Sequence, residues 1–131
     1  MLRSFSLIEI IFTIIIISII TVVAIPKLFY NIDTANIIKL RADVALIRDK
    51  INSFKSKQIL TNNNDQLTTL ENIMTSLLTI NHTGGSWSKI STNNYQAWVD
   101  SKNVVKFIYD PDTFCFDCNI NIDKYCEQLT Q

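Results

Sequence analysis

Glu9 is the only charged residue between Arg3 and Lys27, and three cysteines, Cys115, Cys118 and Cys126, crowd the last seventeen positions. These are the groups whose chemistry stands out. A carboxylate set among aliphatic side chains is costly to bury without a partner, so Glu9 calls for a cation supplied from outside its own run. Cysteines outside the cytoplasm favour disulfides. A Cys118–Cys126 bond is the preferred pairing, because it ties a strand to the tail and closes a loop of about nine residues, worth roughly 2.5 kcal/mol in the chain-entropy model. Cys115–Cys126 and the tighter Cys115–Cys118 ring are the alternatives. In every case one cysteine stays free or pairs between molecules.

Other chemistries find little support. His82 is the only histidine and precedes Gly84-Gly85 in a loop, with no second base or glycine-rich phosphate loop to join it. Zinc held by three cysteines and His82 would need a ligand more than thirty positions away from the others. Asp110, Asp112, Asp117 and Asp123 cluster in sequence, but their spacing matches no calcium loop and suits solvated turns. No catalytic residue, cofactor or metal site is expected, and the chain does not read as an enzyme. Twelve basic and twelve acidic residues balance to zero, which argues against direct nucleic-acid binding. The balance tilts locally: residues 27–60 carry seven basic and three acidic groups, and residues 100–131 carry three basic and six acidic.

The elements that must hold these groups begin with an apolar run. From Phe5 to Ile25, 16 of 21 residues are apolar, and the 131-residue chain holds 22 isoleucines in all. That run is long enough to cross a bilayer. The fourteen Leu, Ile, Val and Phe residues between Leu7 and Ile25 sum to roughly −6 kcal/mol on an insertion scale, against about +3 for one carboxylate at mid-bilayer. Insertion therefore wins despite Glu9, which lies only about 6 Å inside Phe5 along a helix. Three readings compete. One is a cleaved secretory signal ending at Val22-x-Ala24, and one is a plain anchor. The third is a leader cut ahead of the apolar run, which keeps the whole run in the mature protein.

The third reading is carried by a resemblance. Ser4-Phe5-Ser6-Leu7-Ile8-Glu9, followed by the apolar run and Ala24-Ile25-Pro26, resembles the N-terminal signal of type IV pilins and type II secretion pseudopilins. The resemblance implies a leader over residues 1–4, cut by a prepilin peptidase between Ser4 and Phe5, with methylation of the new Phe5 amine. The family usually has Gly where this chain has Ser4. Glu9 takes the place of the glutamate that pairs with a neighbouring subunit's terminal amine during assembly, and Pro26 that of a proline that kinks the helix in many members. The implied partners are the peptidase, copies of the chain and other pilins or pseudopilins, an inner-membrane assembly platform and membrane lipid. The implied location is the inner membrane, single-pass, with the C-terminal domain in the periplasm. Charge alone does not orient the segment, because Lys27, Lys39 and Arg41 outnumber Arg3 and the free amine; the orientation comes from the resemblance.

Beyond Pro26 the pattern becomes amphipathic. Ile37, Leu40, Val44, Ile47, Ile51 and Phe54 step by three and four, which predicts one helix from about Phe5 to Lys57: residues 5–25 in lipid and 26–57 outside it. Residues 58–131 form a small globular remainder. Asn62-Asn63-Asn64-Asp65 marks a loop and Leu67 to Ile80 a short helix or helical turn. Tyr95–Val99, Val104–Tyr109 and Thr113–Cys118 read as strands of an antiparallel meander, with Trp87–Ile90 as a further one. Trp87, Trp98, Phe107 and Phe114 are expected in the core between sheet and helix. The fold class is α+β, resembling the pilin fold. Trp87-Ser88, Phe107-x-Tyr109 and Phe116-x-Cys118 resemble short pseudopilins of transformation and secretion systems. The expected function is that of a structural subunit of a pseudopilus or type IV pilus-like filament. The rival is a secreted or membrane-anchored binding module behind an ordinary signal or anchor.

Overall fold

A computed structural model describes residues 5–131, without the side chains of residues 27–31. The expectations for Met1 to Ser4, including the cut after Ser4, lie outside the described residues. Helix α1 runs Leu7–Thr61 with Pro26 inside it. The chain divides into two compact units, Met1–Ile32 and Asp33–Gln131.

Within the first unit, Leu7–Pro26 is apolar and long enough to cross a membrane, and none of it is buried. Its hydroxyls turn back on the helix itself. Thr13 donates to the Ile10 carbonyl at 2.8 Å, and Ser18 and Thr21 donate to the Ile14 and Ile17 carbonyls at 2.7 Å each. Such bonds suit a segment whose surroundings offer no water, because each hydroxyl proton is satisfied internally.

The second unit is built on the amphipathic stripe. Leu40, Val44, Ile47 and Ile51 are buried, with Ile37 half-buried at one end and Phe54 at the other. Against them lies a four-stranded antiparallel meander in the order β1 (Ser86–Ser91), β2 (Asn94–Trp98), β3 (Val104–Asp110) and β4 (Cys115–Cys118). The pleat sends Trp87, Tyr95, Ala97, Val105, Phe107, Tyr109 and Phe116 inward. Register makes this packing work: Trp87 faces Ala97, which faces Val105, so a small residue beside the indole leaves it room. Phe107 and Phe116 stack with centroids 5.0 Å apart, and Trp87 tilts against Phe107 at 5.3 Å.

Buried polar atoms are mostly matched. The Trp87 indole N–H donates to the Asp43 carboxylate at 3.1 Å, and the Tyr109 hydroxyl donates to the Leu67 carbonyl at 2.8 Å. The Asn36 amide donates to the Val99 carbonyl at 3.0 Å, and Lys39 donates to the Gly85 carbonyl. Gly84 has to be glycine here, since a Cβ would collide with the Asn36 amide nitrogen and lie 2.8 Å from the Val99 carbonyl oxygen. Burial pushes both the Tyr95 and Tyr109 hydroxyls above the ordinary tyrosine range.

Several expectations are corrected. Helix α1 continues one turn past Lys57, to Thr61, and stops where Asn62 takes a left-handed φ of 48°. Within Leu67–Ile80 the expected short helix or helical turn is α2 (Glu71–Met74), and Leu78 beyond it bridges Trp87. Phe114 is not in a strand: its φ is 59°, and β4 starts only at Cys115. Its half-buried ring packs on the rim of the core, with the Lys55 ammonium 5.8 Å from its centre. Trp98 is not between sheet and helix. Tyr95 and Ala97 point inward on β2, so Trp98 points outward, where it stacks on His82 at 4.5 Å and donates to the Ser88 hydroxyl at 2.9 Å. A last helix, α3 (Cys126–Thr130), is an element the sequence pattern does not announce.

Candidate functional site

Glu9 lies in the first turn of α1. The helix there is anchored by the Ser6 carbonyl, which accepts the Glu9 and Ile10 N–H groups at 3.0 and 3.3 Å. A carboxylate in a first turn faces the positive end of the helix dipole, a modest local stabilisation of about 0.3–1 kcal/mol. Its side chain has no hydrogen-bond or ion-pair partner among the described residues, while the surrounding Phe5, Leu7, Ile8 and Phe12 are 65–76% exposed. The arrangement is one anionic group on an apolar rod with every flank open.

Pro26 sits within α1. Lacking an N–H, it cannot donate to the carbonyl four residues back, that of Val22, so one backbone acceptor at this level loses its helical partner.

At the other end of the chain the cysteines divide. Cys118 and Cys126 form the disulfide, with Cα atoms 5.8 Å apart, and Cys115 is free and exposed. Strand parity accounts for the division. Along β4 the pattern of exposure alternates, so Phe116 and Cys118 turn toward the core while Cys115 and Asp117 turn away. Cys126 is itself fully buried at the start of α3 and meets Cys118 from the inner side.

Arg48 completes this closure. Its guanidinium donates to the Phe116 carbonyl at 3.2 Å, the Thr130 carbonyl at 3.3 Å and the Asp117 carboxylate at 3.0 Å. Arg41 adds a bond to the Gln128 carbonyl at 2.8 Å. Two arginines of α1 thus hold the edge strand and the terminal helix, Arg48 through a fork of several donors. Reduction of the Cys118–Cys126 bond is expected to lower the stability of this unit by about 2.5 kcal/mol, reflecting the freedom regained by the short loop. Thermal melts with and without reductant, on the Cys115→Ser background to exclude exchange, would measure it. Because Arg41 and Arg48 remain, the fold is expected to survive at room temperature.

Three of the four clustered acids have carboxylate partners of their own. Asp110 accepts from the Asp112 N–H and the Thr113 hydroxyl, and these bonds, the Thr113 one foremost, hold its carboxyl below the usual range. Asp123 accepts the Lys106 N–H at 3.1 Å, and Asp117 pairs with Arg48. Among the described residues no group of three His, Cys, Asp or Glu side chains is placed to hold a metal. His82 is exposed and, among the described residues, engaged only by the Trp98 ring.

The fold and site together define an α+β chain: a membrane-length apolar helical segment with one carboxylate, and a disulfide-closed sheet on an amphipathic helix. The chain matches no family model, no curated protein and no solved structure.

Proposed function

We propose that this chain is a pilin-like structural subunit, held in the inner membrane by its apolar helix and assembled into a pseudopilus or pilus-like filament. The observation that carries the reading is Glu9: a single carboxylate, without a partner among the described residues, on a segment that exposes apolar side chains all round. In a bundle of such helices an unpaired carboxylate is strongly destabilising, and a cation on a neighbour removes the penalty. The freed amine of Phe5, four positions before Glu9, is a poor partner within one helix and a good one between helices offset along the bundle. The pair would then set the axial register of one subunit on the next.

The sheet on the stripe supports the reading as well. It gives the helix an extra-membrane half that is covered on one face, which leaves the apolar half to pack with other subunits. The disulfide fits a periplasmic position of that sheet. The subunit acts through protein contacts and lipid, with a prepilin peptidase and an assembly platform as its processing partners.

Intact-mass measurement of the mature chain from cells with an active peptidase tests the proposal. The expected product lacks residues 1–4 and carries one added methyl on Phe5. A product starting at Ile25, or an uncut chain, would overturn it in favour of an ordinary signal or anchor.

A further inference from the structure

The outer face of the sheet carries a cavity of about 640 Å³ between β3, β4 and the segment 119–123. Its apolar surface comes from Ile108, Ile120 and Ile122, which are 60%, 62% and 77% exposed. Its polar rim holds Asp110, Asp123 and Lys106, with Asp117 beside them already paired to Arg48. Three exposed isoleucines around one concavity, edged by acids, are more than scattered surface residues would give.

The same chain offers a segment of complementary chemistry elsewhere. At the end of α1, Ile59 and Leu60 are 71% and 85% exposed, and Lys57 beside them has no ion-pair partner among the described residues. The segment that bears them, residues 27–60, holds seven basic and three acidic groups, whereas residues 100–131 hold three basic and six acidic. The helix packs its stripe on the inner face of the sheet, while the cavity opens on the outer face, where Ile108 and Cys115 point. The cavity lining and the helix end share no residue, so they are two separate surfaces of one molecule.

We infer that the acidic, isoleucine-lined cavity docks the Lys57–Ile59–Leu60 end of α1 from a second copy of this chain. Such a contact is head-to-tail rather than two-fold: each copy donates a helix end to one neighbour and a cavity to another, so it propagates instead of closing as a pair. It goes beyond the filament reading, because it needs neither removal of residues 1–4 nor Glu9.

The free Cys115 thiol lines the cavity and serves as the reporter. Full-length Leu60→Cys, uncut and in detergent micelles, is oxidised mildly and run without reductant. The expected result is a ladder of disulfide-linked dimers, trimers and longer species, since each copy then has one thiol at each end of the contact. Lys57→Glu on that background is expected to weaken the ladder about threefold, and raising the salt to 1 M, where screening acts within about 3 Å, to weaken it similarly. Monomer only, including an internally bonded one, or a dimer that forms equally without Leu60→Cys, would overturn the inference. Ile38→Cys, whose parent side chain is 60% exposed on the same helix, is the placement control, and an equal ladder from it would also overturn the assignment. Failure of Phe5 methylation alongside a ladder that depends on Leu60→Cys would remove the filament reading and leave this contact standing.

Discussion

Glu9→Ala is expected to insert into the membrane at least as well as the native chain and to fail in assembly. The arithmetic has two parts. Removing the carboxylate from Leu7–Pro26 deletes the one unfavourable charge in the span, so insertion gains up to about 3 kcal/mol. In the proposed filament, assembly would lose the one group of the span able to tell one axial offset from another, because the rest of its surface is apolar and its hydroxyls are already bonded to the backbone. Apolar packing alone tolerates many offsets. Membrane fractionation with carbonate extraction reads the first part. Shearing of filaments, or crosslinking between neighbouring α1 helices, reads the second. Normal filaments from Glu9→Ala would remove the register role and leave Glu9 as a first-turn helix residue. Glu9→Gln separates charge from shape: it preserves size and hydrogen bonding, and is expected to assemble no better than Glu9→Ala.

The second large effect lies in the sheet. Trp87→Ala should cost about 3–5 kcal/mol, a large part of the stability of a unit of this size. The indole is fully buried between the stripe and the aromatic pair Phe107 and Phe116, and opposite it stands Ala97, too small to fill the space. Its loss also strands the Asp43 carboxylate, which is 14% exposed and keeps only Lys39 at 3.4 Å. Trp87→Phe retains most of the volume but not the N–H, so a smaller loss of about 1–3 kcal/mol is expected from the unpaired carboxylate. Urea titration followed by circular dichroism would rank the two, and equal loss in both would show that the hydrogen bond, not the cavity, dominates.

What can be read from the sequence follows from the range of each signal. The α1 stripe is legible because a helix repeats every 3.6 residues and Ile37 to Phe54 keeps that rhythm for five turns. The meander is legible from Asp100-Ser101-Lys102-Asn103 and Asp110-Pro111, where side chains bind their own backbone: Asp100 accepts the Lys102 and Asn103 N–H groups at 2.6 and 2.7 Å. Facing is harder. Trp87 and Trp98 are both aromatic residues of strands, yet Ser86, not Trp87, stands opposite Trp98. That single offset sends them to opposite faces, and it is decided by register rather than composition. Phe114 looks like a strand residue for its β propensity, but the turn after Pro111 rotates it into left-handed space. The Arg48 clasp cannot be seen at all, since its acceptors lie 68–82 positions along the chain and two of the three are backbone carbonyls. In the apolar segment the reverse holds: Glu9 and Pro26 are conspicuous in one dimension, and the proposed work of Glu9 is with other molecules.

The separation between the stripe and the strands that cover it carries a kinetic consequence. The nearest fully buried strand residue, Trp87, comes 36 positions after Ile51, and Phe116 comes 29 positions later still. During synthesis α1 is complete, with Leu40, Val44, Ile47 and Ile51 facing water, well before the sheet exists to shelter them. Helices form within microseconds, whereas a meander must close several loops and, here, one disulfide. Every newly made chain therefore passes through an interval in which it displays two adhesive surfaces, one the apolar membrane-length segment and one awaiting its own sheet. Aggregation and chaperone capture compete with folding in that interval, so yield on overproduction should depend on the rate of chain delivery more than on the final stability.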